Sequence, residues 1–173
     1  MSRPSLQSAI AVPAATLSER LLAAALEAHD RETLLQAAQR VRRAARDGGA
    51  ARLLAGRHVA IAAAAGATPA QALFERAALQ LGARVSHIAP DILCHGEHAA
   101  TARLLPRLYD AIDCHLGSTS HALALHRRCG VPVYLTLGGA RHPIRVLVDE
   151  LARLDGELAL VNLMQAVLVE TLA

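Results

Sequence analysis

His58-Val59-Ala60-Ile61-Ala62-Ala63-Ala64 is a short apolar run, and Thr68-Pro69 stands just beyond it. A run of this length reads as a strand buried on both faces. Thr68-Pro69 reads as the start of a helix. The threonine hydroxyl can accept an otherwise unpaired backbone N–H, and proline has no N–H to lose in the first turn. Gly82 ends that helix, and residues 84–88 form a second strand. Strand, helix and strand in this order make one βαβ unit.

The alternation continues in both directions. Downstream, a helix is predicted over 97–108, a strand over 111–114 and a helix over 120–128 that Gly130 closes. A fourth strand covers 131–135, and His142-Pro143 opens a helix to about 154. Upstream, Thr16 and Glu19 form a capping box for a helix to about 29. Asp30 is read as the N-cap of the next helix, which Asp47-Gly48-Gly49 stops. After Asp155-Gly156 comes a last apolar helix, 158–172. Together these elements imply a three-layer α/β/α fold on a four-stranded parallel sheet. Residues 1–14 read as a flexible tail and 15–173 as a single domain. Ligands in such folds sit beyond the carboxyl ends of the strands, here 65–68, 90–95, 115–118 and 137–142.

Of the 173 residues 53% are hydrophobic but only 2% aromatic, so Ala, Leu and Val must fill the core. Small side chains gain less per residue buried, which favours covering more surface by self-association. The net charge is +3, and its densest run is Arg40, Arg42, Arg43 and Arg46. These arginines read as a solvated helix face, and without stacking aromatics a nucleic-acid partner is not expected. Cys94, Cys114 and Cys129 show no CxxC spacing, which favours a reducing compartment. Residues 1–14 lack the apolar core of a secretory signal. The uncharged stretch 59–74 is Ala-rich and holds Gly66 and Pro69. It falls short of the roughly 20 strongly apolar residues of a membrane span. The expectation is a soluble, cytoplasmic protein with no membrane partner.

Three groups of residues could carry chemistry. His142, flanked by Arg141 and Arg145 at a helix start, could bind an anion or could simply cap the helix. Cys94, His95, His98, Cys114, His115 and His121 lie near predicted strand ends, but their spacing matches no standard metal site, so no metal and no cofactor is expected. Ser118, Thr119 and Ser120 before His121 could suggest a nucleophile and its base; a hydroxyl cluster before a helix reads first as an N-cap.

Leu53-Leu54-Ala55-Gly56-Arg57-His58-Val59-Ala60 is similar to the "LL.GK.VA" first strand of ornithine and aspartate carbamoyltransferases. Phe74-Glu75, Ala77-Ala78 and Gln80-Leu81-Gly82-Ala83 resemble the family's "SFE.AA.QLGA" helix. Gly96-Glu97, Thr101-Ala102-Arg103-Leu104-Leu105 and Tyr109-Asp110-Ala111-Ile112 resemble "GE…DTAR.L…YDAI". Gly130-Val131-Pro132-Val133 leads with unchanged spacing to His142-Pro143, as in "GVPV…HPTQ". The likeness covers about 30–154, and Gln165-Ala166-Val167-Leu168-Val169-Glu170-Thr171-Leu172 is similar to the helix that returns to this domain at the family's C-terminus.

The resemblance implies a Rossmann-like carbamoyl-phosphate domain, without the family's second, amino-acid-binding domain. The family's "STRTR" phosphate cradle falls on Ala67-Thr68-Pro69-Ala70-Gln71, where only Thr68 is retained. An arginine after the third strand is replaced by His115. The carbonyl-polarising histidine is kept as His142, and the glutamine after it becomes Arg145. The loop that a neighbouring subunit inserts falls near 91–95 and has no Lys. Expected ligand-binding residues are therefore Thr68, Gln71, His115, His142 and Arg145, with His142 the candidate catalytic group. A dianionic phosphate taken from water needs paired cations. The sequence therefore implies a pseudoenzyme that has lost carbamoyl transfer and acts as an oligomeric scaffold, favoured as a homotrimer, or as a partner-binding protein. The alternative is a protein, or an enzyme of altered chemistry, that takes a small anionic ligand, carbamoyl phosphate-like, or an amino-acid-related metabolite at the His142 cleft.

Overall fold

The computed structural model describes residues 15–63, 68–94, 99–115, 118–155 and 158–173. Helices α1 (Leu17–Leu22) and α2 (Ala28–Arg46) precede β1 (His58–Ala62), α3 (Pro69–Gln80) and β2 (Arg84–Ile88). Then come α4 (Asp91–Cys94), α5 (Ala99–Leu108), β3 (Ala111–Cys114), α6 (Thr119–Cys129) and β4 (Val133–Leu135). A 3-10 turn (Pro143–Leu147), α7 (Val148–Asp155) and α8 (Ala159–Leu172) complete the chain. The four strands pair in parallel in the order β2-β1-β3-β4.

Alternate residues of each strand face opposite layers. Val59, Ile61, Ala111 and Tyr134 face one core with α2, α3 and α8, where Leu34, Phe74 and Leu163 are fully buried. Ala60, Ala62, Ile112, Cys114 and Val133 face the other, with α5, α6 and Leu22 of α1. The α/β/α layering expected from the alternation is therefore present. α8 lies in the first layer, where Gln165 donates to Gln80 (2.9 Å) and Glu170 pairs with Arg40. Only residues 156–158 separate α7 from α8. At the turn after α3, Gly82 has φ +86°, and a Cβ there would lie 1.9 Å from the Ala51 carbonyl oxygen. Only glycine lets this backbone approach so closely.

Several boundaries differ from the sequence reading. α1 stops at Leu22, not near 29. Ala24 takes φ 54°, Ala25 N–H donates to the Arg20 carbonyl (2.8 Å) and Ala24 N–H to that of Leu21 (3.3 Å). This is a Schellman ending with alanine where glycine normally marks it, so no sequence signal announced it. Asp30 is not the N-cap of α2; Glu27 is, and Asp30 stands three residues inside. Its buried carboxylate accepts from Glu27 N–H (2.9 Å) and from Arg20 Nε and Nη2 (2.7 and 2.6 Å). The Arg20 bonds hold its carboxyl below the usual carboxylate range.

The helix read over 142–154 divides, because Arg145 N–H bonds to His142 three residues back (2.9 Å) in the tighter 3-10 pitch. β4 starts at Val133, since Pro132 has no N–H for the ladder. α4 was not expected. The tail 1–14, most of the strand end at 65–68, and residues 95–98 with His95, Gly96, Glu97 and His98 lie outside the described residues. Among the described residues no helix is long and apolar enough to cross a membrane.

Candidate functional site

The carboxyl ends of β1, β3 and β4 open onto two adjoining cavities. One, of about 330 Å³, is walled by Thr68, Pro69, Leu73, Gly138 and Arg145. The other, of about 460 Å³, is walled by Leu21, Leu22, Thr119, Leu135, Arg141 and His142. His115, Thr136 and Ala140 line both and form the shared wall. The expected residues are thus divided: Thr68 and Arg145 lie on one side, His142 on the other, with His115 between.

Gln71 lines neither cavity. Thr68 Oγ1 accepts from Gln71 N–H (3.2 Å), and Gln71 Oε1 accepts from Thr68 N–H (3.0 Å). Gln71 Nε2 donates to the Ala62 carbonyl (3.1 Å), so the buried side chain is fully committed. Pro69 has no N–H, so among Thr68–Gln71 only the Ala70 amide is left to point at a ligand. The helix end that would cradle an anion is closed by its own capping box. Thr68→Ala should lower stability by about 1 kcal/mol through cap loss. That is a melting-temperature drop of about 2–4 °C, read by a calorimetric scan; an unchanged melting point would mean the cap is redundant.

The loop 136–142 shapes both cavities. Thr136 enters it with φ 52°, a strained conformation for a β-branched residue. Its N–H donates to the Cys114 carbonyl (3.0 Å), and its hydroxyl meets His115 Nδ1 (2.9 Å). Leu137 N–H donates to Asp113 Oδ1 (2.9 Å). Arg145 reaches back, with Nη2 donating to the Gly138 carbonyl (3.0 Å) and Nε to that of Gly139 (3.4 Å). The arginine predicted as a ligand is therefore also a clamp on this loop.

His142 caps the 3-10 turn, its Nδ1 accepting from Ile144 N–H (3.3 Å). It is 7% exposed. Burial, with Arg145 nearby, pushes its imidazole down to about 4. At neutral pH the ring is uncharged and its proton sits on Nε2, which suits it to donate one hydrogen bond and not to balance a negative charge.

Ser118 is the N-cap of α6, its Oγ accepting from His121 N–H (3.3 Å), which favours the capping reading over a nucleophile. Among the described residues no three His, Cys, Asp or Glu side chains converge on a metal position. Two residues of this region were not singled out in the sequence. Asp113, an acid inside an apolar strand, carried a signal that could have been read. Thr136 carried none, since nothing local marks a threonine for positive φ.

The model of the aspartate/ornithine carbamoyltransferase carbamoyl-P binding domain matches residues 20–153. This chain belongs to that family. Among its relatives, the catabolic ornithine carbamoyltransferase of Chromobacterium violaceum is 36% identical over 124 residues, covering 68% of this chain and 36% of that one. That of Mycoplasma capricolum subsp. capripneumoniae is 32% identical over 119 residues, covering 67% and 38%. The solved ornithine carbamoyltransferase of Pyrococcus furiosus is 29% identical with a TM-score of 0.56, covering 66% and 38%. The catalytic subunit of M. jannaschii aspartate transcarbamoylase shares the fold, with a TM-score of 0.60 at 22% identity over 76% of this chain and 45% of that one. The chain spans less than half the length of each of these relatives.

Proposed function

We propose that this carbamoyltransferase-family chain does not transfer carbamoyl groups and acts by association, favoured as a homotrimer or with a protein partner. The observation that carries the first half is the closed N-terminus of α3. Thr68, Pro69 and Gln71 leave one amide for an anion that needs several donors. The second is the missing charge. His142 is neutral, and Arg145 already holds two loop carbonyls. Carbamoyl transfer relies on preorganised positive charge where negative charge develops. The association half rests on the composition, a core poor in aromatics that gains from covering more surface. The chain should show no turnover of carbamoyl phosphate with ornithine or aspartate, and a solution mass that is a multiple of 18.2 kDa. Turnover would refute the first half, and a clean monomer that captures no partner the second.

A second reading rests on the cavities. Both are open, not filled by side chains, with Thr68, His115 and Arg145 on the walls of one and His115, Thr119 and His142 on those of the other. On this reading they take a small anion, carbamoyl phosphate-like, or an amino-acid-related metabolite, beside His142. Inorganic phosphate or carbamoyl phosphate at millimolar concentration should then raise the melting temperature, whereas an unchanged melting temperature favours the first reading.

A further inference from the structure

Asp113 lies in the middle of the sheet, on β3, and is fully buried. Its register partners are Ile61 on β1 and Tyr134 on β4, both in the apolar layer under α3 and α8. One carboxyl oxygen accepts the N–H of Leu137, the residue that starts the cleft loop. The other, Oδ2, has no hydrogen-bond partner among the described residues. The same loop begins at the strained Thr136 and ends at His142, and a Cβ at Gly138 within it would lie 2.5 Å from Met164 Cε and 2.9 Å from the Ala70 carbonyl oxygen. A buried carboxyl therefore grips the loop at its hinge with one oxygen and leaves the other unsatisfied.

We infer that Asp113 is a positioning residue for the loop 136–142, which in its uncharged form holds the shared wall of both cavities and on ionisation releases it. An ionised Oδ2 in an apolar layer is costly unless water or a donor reaches it. Opening the loop at Thr136 is the nearest way to admit water. The carboxyl is pushed up to about 7 by burial, against a smaller opposing effect of the Leu137 bond. In any open form where it is hydrated it returns toward the ordinary value, so the open form gains as pH rises. Tyr134 is the titratable neighbour it influences, pushed up by burial and by Asp113. His58 on β1, Glu75 and Arg76 on α3, Glu170 on α8, His142 at the end of the loop and Arg145 beyond it are not among the influences on Asp113. The device is thus set by burial, not by an ion pair, and salt should leave it unchanged.

The test is amide hydrogen exchange of Leu137, Gly138, Gly139 and His142, corrected for intrinsic rates. Taken as the ratio of wild type to Asp113→Asn, which cancels the opposite titration of His142, their opening equilibrium should rise about tenfold per pH unit between pH 5 and 7 and level off above. Amides in the middle of α2 open only with the whole fold and should do so far less often than those of the loop. If that variant does not fold, carbon-13 NMR of aspartate-labelled wild type serves instead. A carboxyl midpoint near 7, shared by the loop amides, supports the inference. A midpoint near 4, a titration silent in the loop, or loop amides that open no more often than those of α2 overturns it.

Discussion

A chain lacking residues 158–173 is expected not to fold: no cooperative thermal transition, and strong binding of a hydrophobic dye. Ala159, Leu160, Val161, Leu163, Met164, Ala166, Val167, Leu168 and Leu172 of α8 are all buried. A fully buried Leu, Val or Met contributes about 1.5–3 kcal/mol, whereas the net stability of a domain is about 5–15 kcal/mol. Removing the helix also uncovers Leu34 and Ala38 of α2 and Phe74 of α3 in the same layer. A gentler version is Leu163→Ala, at a fully buried position, which should lower stability by about 2–5 kcal/mol in urea unfolding. A truncated chain with a sharp transition would show that α2 and α3 close the layer without α8.

The second large effect is the pH dependence that Asp113 gives to stability, read against an Asp113→Asn variant. The carboxyl of Asp113 ordinarily titrates at 3.8, and in the fold at about 7. The folded chain thus binds a proton that the unfolded chain has already lost. This contribution is fully present below pH 4, declines as pH rises toward 7 and is flat above. At about 1.4 kcal/mol per unit, its ceiling is about 4 kcal/mol, reduced to the extent that the cleft loop opens. His142 works the other way. Its imidazole goes from 6.5 to about 4, so its contribution is present above pH 6.5 and is lost as pH falls toward 4. The two oppose each other between pH 4 and 6.5, and Asp113 alone acts up to 7. Asp113→Asn should match the wild type below pH 4 and melt well above it at pH 8, apart from any small loss from its unpaired amide. A variant that melts lower at pH 8 would mean that the carboxylate has a partner.

The chain itself determined more of the fold than of the site. The apolar runs at β1 and β3, Thr68-Pro69 at the head of α3 and Gly130 at the end of α6 are local signals, because each comes from the backbone needs of a few neighbouring residues. Periodicity and turn chemistry need no distant partner, so these elements were legible. The Schellman turn at Ala24 and the place of Asp30 within α2 were not. Both follow from the Arg20 and Asp30 pairing, which exists only once α1 and α2 have met.

For the site, the resemblance carried by the sequence implied that the "STRTR" cradle is nearly gone and that the family's histidine stands at His142. Only the tertiary structure decided what those residues can do. Gln71 looked like a ligand and is committed to Thr68 and Ala62; His142 and Arg145 are three residues apart in the chain and line different cavities. Asp113 reads in the sequence as one acid in an apolar strand, and its weight comes from a layer built by α3 and α8 and from the loop amide it holds. The physical reason is the same throughout: hydrogen-bond commitment and burial depend on which distant groups are brought close, and no local pattern specifies them.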